Sequence, residues 1–278
     1  IASRQHLRVI SQLTRRALDT AGDSIDAVAA TNGPGLMGSL LVGVNFAKAL
    51  AYAWRKPFVP VHHIEGHIFS PFLNGSAPEF PALALIVSGG HTLLIDCRAP
   101  HDYTIIATTR DDAVGECFDK VARLLKLPYP GGPSIQNAAE GGNRKAFAFP
   151  RAFTGTDTLE FSYSGLKTAV LYTLRDNPNA NPADVAASFQ EAAVDALVNK
   201  TKLAVSRTRA PKLILAGGVA ANKRLRERLT ETLTIPILMP PISLCMDNAA
   251  MIGAAAHSLL QHGRAGTYAA TPSASLAL

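Results

Sequence analysis

His63 and His67 stand four residues apart in Val61-His62-His63-Ile64-Glu65-Gly66-His67. Residues 62–72 read as a short helix, on which side chains four apart project on one side, so that two imidazoles can share a metal. An ordinary pair of surface or core histidines fits the same spacing. Glu65 does not complete a metalloprotease motif. In H-E-x-x-H the glutamate directly follows the first histidine, whereas Glu65 comes two residues after His63, roughly 200° around the helix. It points away from the metal side and cannot act as base for a metal-bound water. His62 lies about 100° off the pair and reads as structural. A two-histidine site needs a further ligand, and Asp247 in Ser243-Leu244-Cys245-Met246-Asp247-Asn248 is a candidate. On its own, an aspartate just before a helix reads first as an N-cap. A mixed histidine and carboxylate set suits a catalytic metal with open positions rather than a closed structural zinc.

Three glycine turns are the second source of chemistry. Ser88-Gly89-Gly90-His91-Thr92 links two β-rich runs, and its backbone N–H groups could cradle a phosphate or simply close a hairpin. Gly131-Gly132 between prolines reads as a helix cap and connector. Ala216-Gly217-Gly218-Val219-Ala220-Ala221-Asn222 follows a strand and opens a helix, the context in which a helix N-terminus meets a nucleotide. None is G-x-G-x-x-G, so a dinucleotide-binding reading has no support. Each turn is weak alone; three in one chain favour a nucleotide site. Asp111 and Asp112 read as first-turn acids complementing a helix dipole. Asp119 lies deeper in that helix, where a ribose hydroxyl or a salt bridge would explain it. Lys223, Arg224, Arg226 and Arg228 crowd one helix, and Arg4, Arg8, Arg15 and Arg16 another. These are solvated faces that also permit phosphate-backbone contacts.

The elements that must position these groups alternate. Helices are expected over residues 3–22, 38–54, 113–125, 164–175, 184–207 and 248–260, with another from Asn222. Strands are expected over 27–31, 58–61, 83–87, 92–97, 103–109, 212–215 and 235–239. Alternation of this kind argues α/β, and the mid-chain three-strand meander suggests a second sheet opening there, with a soft boundary near Phe80. An Ala/Ser-rich tail closes the chain at 265–278. The 278 residues are 47% hydrophobic and 17% charged, enough apolar material for a sizeable core, so disorder is excluded. The formal net charge of +6 favours anionic partners. Cys97, Cys117 and Cys245 stand far apart with no C-x-x-C, which argues against a disulfide framework and for a reducing compartment. No run reaches the roughly 18 apolar residues of a membrane span. The opening Ile1-Ala2-Ser3-Arg4 is neither a signal peptide nor a start methionine. A cytoplasmic location is the expectation, with mitochondria as the alternative.

Taken in order, the metal-helix segment and Leu85-Ile86-Val87-Ser88-Gly89-Gly90-His91-Thr92 are followed by Asp112-Ala113-Val114-Gly115-Glu116-Cys117-Phe118-Asp119-Lys120. Tyr129-Pro130-Gly131-Gly132-Pro133, Phe161-Ser162-Tyr163-Ser164-Gly165-Leu166-Lys167-Thr168 and the Ala216–Asn222 turn complete the set, with Asn32-Gly33-Pro34-Gly35-Leu36 near the start. This ordered set resembles the tRNA adenosine threonylcarbamoyltransferases, once called O-sialoglycoprotein endopeptidases, across nearly the whole chain. The resemblance implies an α/β fold of the actin/sugar-kinase-like ATPase type, with two lobes around a nucleotide cleft. Residues 1–79 would form the remainder of the first lobe with the metal-binding helix. Residues 80–278 would form the second lobe with the nucleotide turns, the final helix returning to the first. It implies one divalent metal held by His63, His67 and Asp247, iron by resemblance with zinc or magnesium as alternatives. It also implies contacts to an ATP- or AMP-type nucleotide from Ile86, Val87, Ser88, Gly89, Gly90, Asp119, Gly132 and Asn222. Family members carry a strand, a short acidic turn and a hairpin ahead of the segment that begins here. The first lobe is therefore expected to lack its leading strands, and transfer by this chain to be poor.

The implied activity is transfer of a threonylcarbamoyl group from threonylcarbamoyl-AMP to the exocyclic amine of the adenosine 3′ of the anticodon, in tRNAs reading codons that start with A. The adenosine amine can attack directly, so no cysteine is expected to form a covalent intermediate. Asp119 is the one candidate general base, and a ribose contact explains it equally well. The expected partners are tRNA, threonylcarbamoyl-AMP, a paralogous subunit and a small ATPase, with no membrane. The alternatives are a non-catalytic scaffold subunit, a metallopeptidase and a small-molecule kinase of the same superfold. The misplaced Glu65 argues against the peptidase, and the retained histidine pair against the scaffold and the kinase.

Overall fold

The computed structural model describes residues 2–21 and 24–278. In chain order the elements are α1 (Ala2–Ala21), β1 (Val28–Gly33), α2 (Met37–Trp54), β2 (Phe58–His62), α3 (His63–Phe69), β3 (Ala82–Val87), β4 (Thr92–Ala99) and β5 (Asp102–Thr108). They continue with α4 (Val114–Leu124), α5 (Gly131–Ala138), α6 (Ser164–Asp176), α7 (Pro182–Thr208), β6 (Leu213–Ala216), α8 (Lys223–Thr232), β7 (Ile237–Leu238) and α9 (Ala249–Gln261). Residue 22, the last of the first expected helix, lies outside the described residues. The chain divides into two compact units, residues 1–76 with 248–278, and residues 77–247.

In the first unit β1 and β2 pair in parallel, from Val28 opposite Phe58 to Thr31 opposite Val61. Parallel neighbours need a crossover, and α2 supplies it, burying Val44, Ala47 and Ala51 against Phe58. The Ala/Ser-rich tail, which composition alone marks as low-complexity, is docked on this pair. Gly266 N–H donates to Phe58 O at 3.0 Å, Ser273 N–H to Asn32 O at 2.9 Å, and Gly35 N–H to Ala274 O at 3.2 Å. Strand-edge groups of β1 and β2 thus find backbone partners in a segment with no regular pattern of its own.

The second unit is built on a five-stranded sheet in the order β5-β4-β3-β6-β7. Every residue of β3 is buried, as its unbroken Ala-Leu-Ala-Leu-Ile-Val run requires for a central strand covered on both faces. β4 returns antiparallel from it and β6 lies parallel on its other side. The 27-residue α7 covers the sheet, with Phe189 meeting Phe118 of α4 edge-on at 5.0 Å between ring centroids. Strand β7 is only two residues long where five were expected over 235–239. Pro236, Pro240 and Pro241 flank it, and proline gives a ladder no donor. Helix α5 was not expected at all, because Gly131-Gly132-Pro133 reads as a turn. Proline and glycine are tolerated here because they fall in the first turn of the helix.

Candidate active site

His63 and His67 occupy one side of α3, their rings 4.8 Å apart between centroids and inclined at 77°. The helix starts at a cap made by the neighbouring histidine: His62 Nδ1 accepts from Ile64 N–H at 3.2 Å. Its Nε2 must then carry the proton, and it bonds Leu276 O in the tail at 3.1 Å. Burial lowers the His62 pKa, against the opposing pull of the Leu276 carbonyl and Glu65. Gly66, between the two histidines, lets α9 close on α3: a Cβ there would lie 2.7 Å from Ile252 Cδ1. The residue that caps α9 is Asn248, whose Oδ1 accepts from Met251 N–H at 2.9 Å. The capping role that competes for Asp247 in the sequence is therefore filled by its neighbour. Asp247, one peptide bond before that cap, has a carboxylate oxygen within 4.8 Å of ring nitrogens of His63 and His67, all three mutually within that distance. Ligands bound to one first-row divalent ion at about 2.1 Å lie roughly 3–4 Å apart, so a small side-chain closure suffices. Two imidazoles and one carboxylate fit such an ion and leave coordination positions for substrate oxygen.

Within the second unit, the Ser88–Gly90 and Gly217 turns meet at the C-terminal end of β3, and the Gly131 turn packs on α4. Gly115, in the first turn of α4, sits so close that a Cβ would lie 2.6 Å from Ser88 O. Gly217 has φ +95° and a Cβ there would lie 2.3 Å from Val87 O, so both its conformation and its space demand glycine. Gly131 packs on Asp119 just as tightly, and its N–H donates to Asp119 Oδ1 at 2.7 Å. Of the residues expected to touch a nucleotide, Ile86 and Val87 are fully buried, backbone and side chain alike. Gly89 and Gly90 are exposed, with nothing within 4 Å of an added Cβ. The turn is less open to an anion than its glycines suggest. Gly90 and His91 N–H groups both aim at Ser88 Oγ, at 3.4 and 3.1 Å. Asp119 spends one oxygen on α5, an explanation that its place in the helix did not reveal. Asn222 caps α8, its Oδ1 accepting from Leu225 N–H at 3.0 Å. Beside it opens a pocket of about 670 Å³ lined by Gln136, Gly142, Arg144, Gln190, Lys223 and Arg224, among others.

Asp111 and Asp112 stand before α4 rather than in its first turn, and they serve other partners. Asp111 accepts from Tyr163 N–H at 2.7 Å, from Ser164 N–H at 3.2 Å and from the hydroxyls of Ser162 and Ser164. It thereby caps α6. Burial raises its pKa, but these donors outweigh burial and leave it below the ordinary carboxylate range. Asp112 pairs with Lys120 at 2.7 Å and Lys167 at 3.3 Å, which likewise outweigh burial and lower its pKa. The motif segments 111–120 and 161–168 are joined by these contacts. The three cysteines are buried and form no disulfide. Burial raises all three thiols, Cys117 to about 12, so none presents a thiolate at neutral pH. Sequence reasoning missed Gln136 and Gln190. A signal for Gln190 existed: it interrupts the buried stripe Ala186, Ala193, Leu197 at helical spacing.

A family profile described as tRNA N6-adenosine threonylcarbamoyltransferase matches residues 1–254. Two relatives carrying that name are 51% identical to this chain. That of Moorella thermoacetica aligns over 92% of this chain and 78% of its own length, and that of Kosmotoga olearia over 95% and 81%. Among solved structures, full-length HypF in its phosphate- and nucleotide-bound form superposes with a TM-score of 0.69. The identity is 15%, over 93% of this chain and 42% of HypF. The HypF of T. kodakarensis gives 0.65 at 15% identity, over 86% of this chain and 41% of that one. These likenesses speak to the fold alone, which is the actin/sugar-kinase-like α/β ATPase fold. Among the described residues, no helix is long and apolar enough to cross a membrane.

Proposed function

The chain belongs to the tRNA N6-adenosine threonylcarbamoyltransferase family, and from that membership we propose how its own residues carry the transfer. The donor is threonylcarbamoyl-AMP, a mixed anhydride. The adenosine N6 attacks the carbamoyl carbon, the bond from that carbon to the phosphate oxygen breaks, and AMP leaves with the electron pair. N6 gives up one proton. No side-chain nucleophile is needed, in keeping with three buried thiols held protonated.

His63, His67 and Asp247 are the residues that would hold a divalent metal. Bound there, it supplies Lewis-acid grip on a phosphate or carbonyl oxygen of the donor. The chain's other groups orient the nucleotide. The backbone at Ser88–Gly90 takes phosphate charge. Gly132 and Asn222 would contact the nucleotide, and the second oxygen of Asp119 would face a ribose hydroxyl while the first stays on Gly131. The basic surface accepts the tRNA backbone, and a paralogous subunit and a small ATPase are the partners that this reading expects. The observation that carries it is the gathering of His63, His67 and Asp247, 180 residues apart in sequence, within 4.8 Å. The test is elemental analysis together with AMP calorimetry on the purified protein. One metal per chain and one AMP site are expected. A metal-free protein that also fails to take up iron, zinc or magnesium would overturn the metal assignment.

A further inference from the structure

We infer that Gln190 is a positioning residue that presets the Asn222 amide for the nucleotide, an inference that rests on the nucleotide reading above. The Asn222 side chain is held from two directions. Leu225 N–H donates to its Oδ1 at 3.0 Å, and its Nδ2 donates to Gln190 Oε1 at 2.8 Å. A backbone N–H can only donate, so Oδ1 must face Leu225. The amide nitrogen then necessarily faces Gln190, and Gln190 must present its oxygen. One backbone donor in α8 thus dictates the orientation of two consecutive amides. Both side chains are buried, Asn222 at 8% and Gln190 at 7% exposure, so a reversed amide would leave mismatched polar groups in the interior. Nδ2 carries two hydrogens; one is spent on Gln190, and the other is aimed by that bond. A neutral acceptor on the nucleotide is what it would meet. Gln136 of α5 secures the same helix start from another side, its Oε1 accepting Lys223 N–H at 2.8 Å. Gln190 also lines the adjoining pocket.

The role predicts coupling. Without the Gln190 oxygen, Asn222 Nδ2 loses its fixed partner and the ligand must order the amide itself. Calorimetry with AMP on the purified protein tests this. Gln190→Met, similar in size and without the acceptor, should weaken AMP binding about five- to tenfold. Gln190→Glu keeps an acceptor oxygen and should stay within about threefold of the parent. Asn222→Ser keeps the capping oxygen for Leu225 but removes the amide, and should itself weaken AMP binding. The double variant Gln190→Met with Asn222→Ser should bind within about twofold of Asn222→Ser alone, because Gln190 acts only through the amide already removed. Two results would overturn the role while leaving the nucleotide reading intact: parental AMP affinity in Gln190→Met when Asn222→Ser is impaired, or losses that multiply in the double variant. Parental affinity in Asn222→Ser would instead show that the nucleotide reading has failed, and the inference with it. If Gln190→Met does not fold, Gln190→Asn withdraws the oxygen by one methylene and serves in its place.

Discussion

A histidine pair at i and i+4 brings two ring nitrogens to one side of a short helix, and whether they can share a metal depends on what approaches that side. Here it is the start of α9, admitted by Gly66 and capped by Asn248. The pair was legible from spacing alone. Asp247 was not, since no local pattern links it to residues 180 positions earlier and its position before a helix reads as a cap. His63→Ala should weaken divalent-metal binding by more than about 100-fold, as measured by competition with a chromogenic chelator, while the thermal midpoint without metal stays near that of the parent. Gly90 offers the complementary case. An added side chain there meets nothing in the protein, so Gly90→Val should fold normally yet lose AMP binding in calorimetry. Unchanged AMP affinity would reduce the Ser88–Gly90 turn to a hairpin connector.

Among the elements, the start of α6 depends on a residue outside it. Asp111 collects two backbone N–H groups and two hydroxyls from residues 162–164. Asp111→Ala should cost about 1–2 kcal/mol in urea denaturation at pH 7. Its folded pKa lies below the ordinary value. The carboxylate therefore contributes its stabilisation above the unfolded pKa near 4 and loses it as pH falls through the folded pKa. The gap between Asp111→Ala and the parent should close on acidification below about pH 4, and a gap independent of pH would contradict the cap. Gly217→Ala should cost roughly 2–4 kcal/mol, from positive φ and a close approach to Val87 O. Strongly periodic elements such as α7 and the β3–β4 hairpin were legible within one or two residues at each end. Helix α5 was hidden because its first turn uses the residues of a loop, and β7 was overestimated because apolar Ile and Leu signal a strand that the neighbouring prolines cut short. The docked tail had no signal, because its bonds to β1 and β2 come from backbone groups that every sequence carries.

At the scale of the molecule, α/β alternation and the ordered motifs were enough to indicate the fold class and the family, whereas the junctions between motifs became visible only in three dimensions. Asp111 and Asp112 tie segment 111–120 to segment 161–168, and Asp119 ties it to α5. The net charge of +6 predicts that tRNA affinity falls steeply with salt, by about tenfold or more between 50 and 200 mM, because releasing the same phosphate counterions gains less entropy at higher salt. A filter-binding titration in which affinity ignores salt would show that the basic helices do not face the nucleic acid. Whether His63, His67 and Asp247 of this chain serve transfer of a threonylcarbamoyl group to adenosine in tRNA is decided by the nucleosides that the treated tRNA yields. tRNA is incubated with threonylcarbamoyl-AMP, the protein and its partner proteins, digested to nucleosides and analysed by mass spectrometry. N6-threonylcarbamoyladenosine is expected with the parent chain, and its near-complete loss with His67→Ala or Asp247→Ala. Absence of the modified nucleoside with the parent chain, or undiminished formation with both variants, would contradict that role.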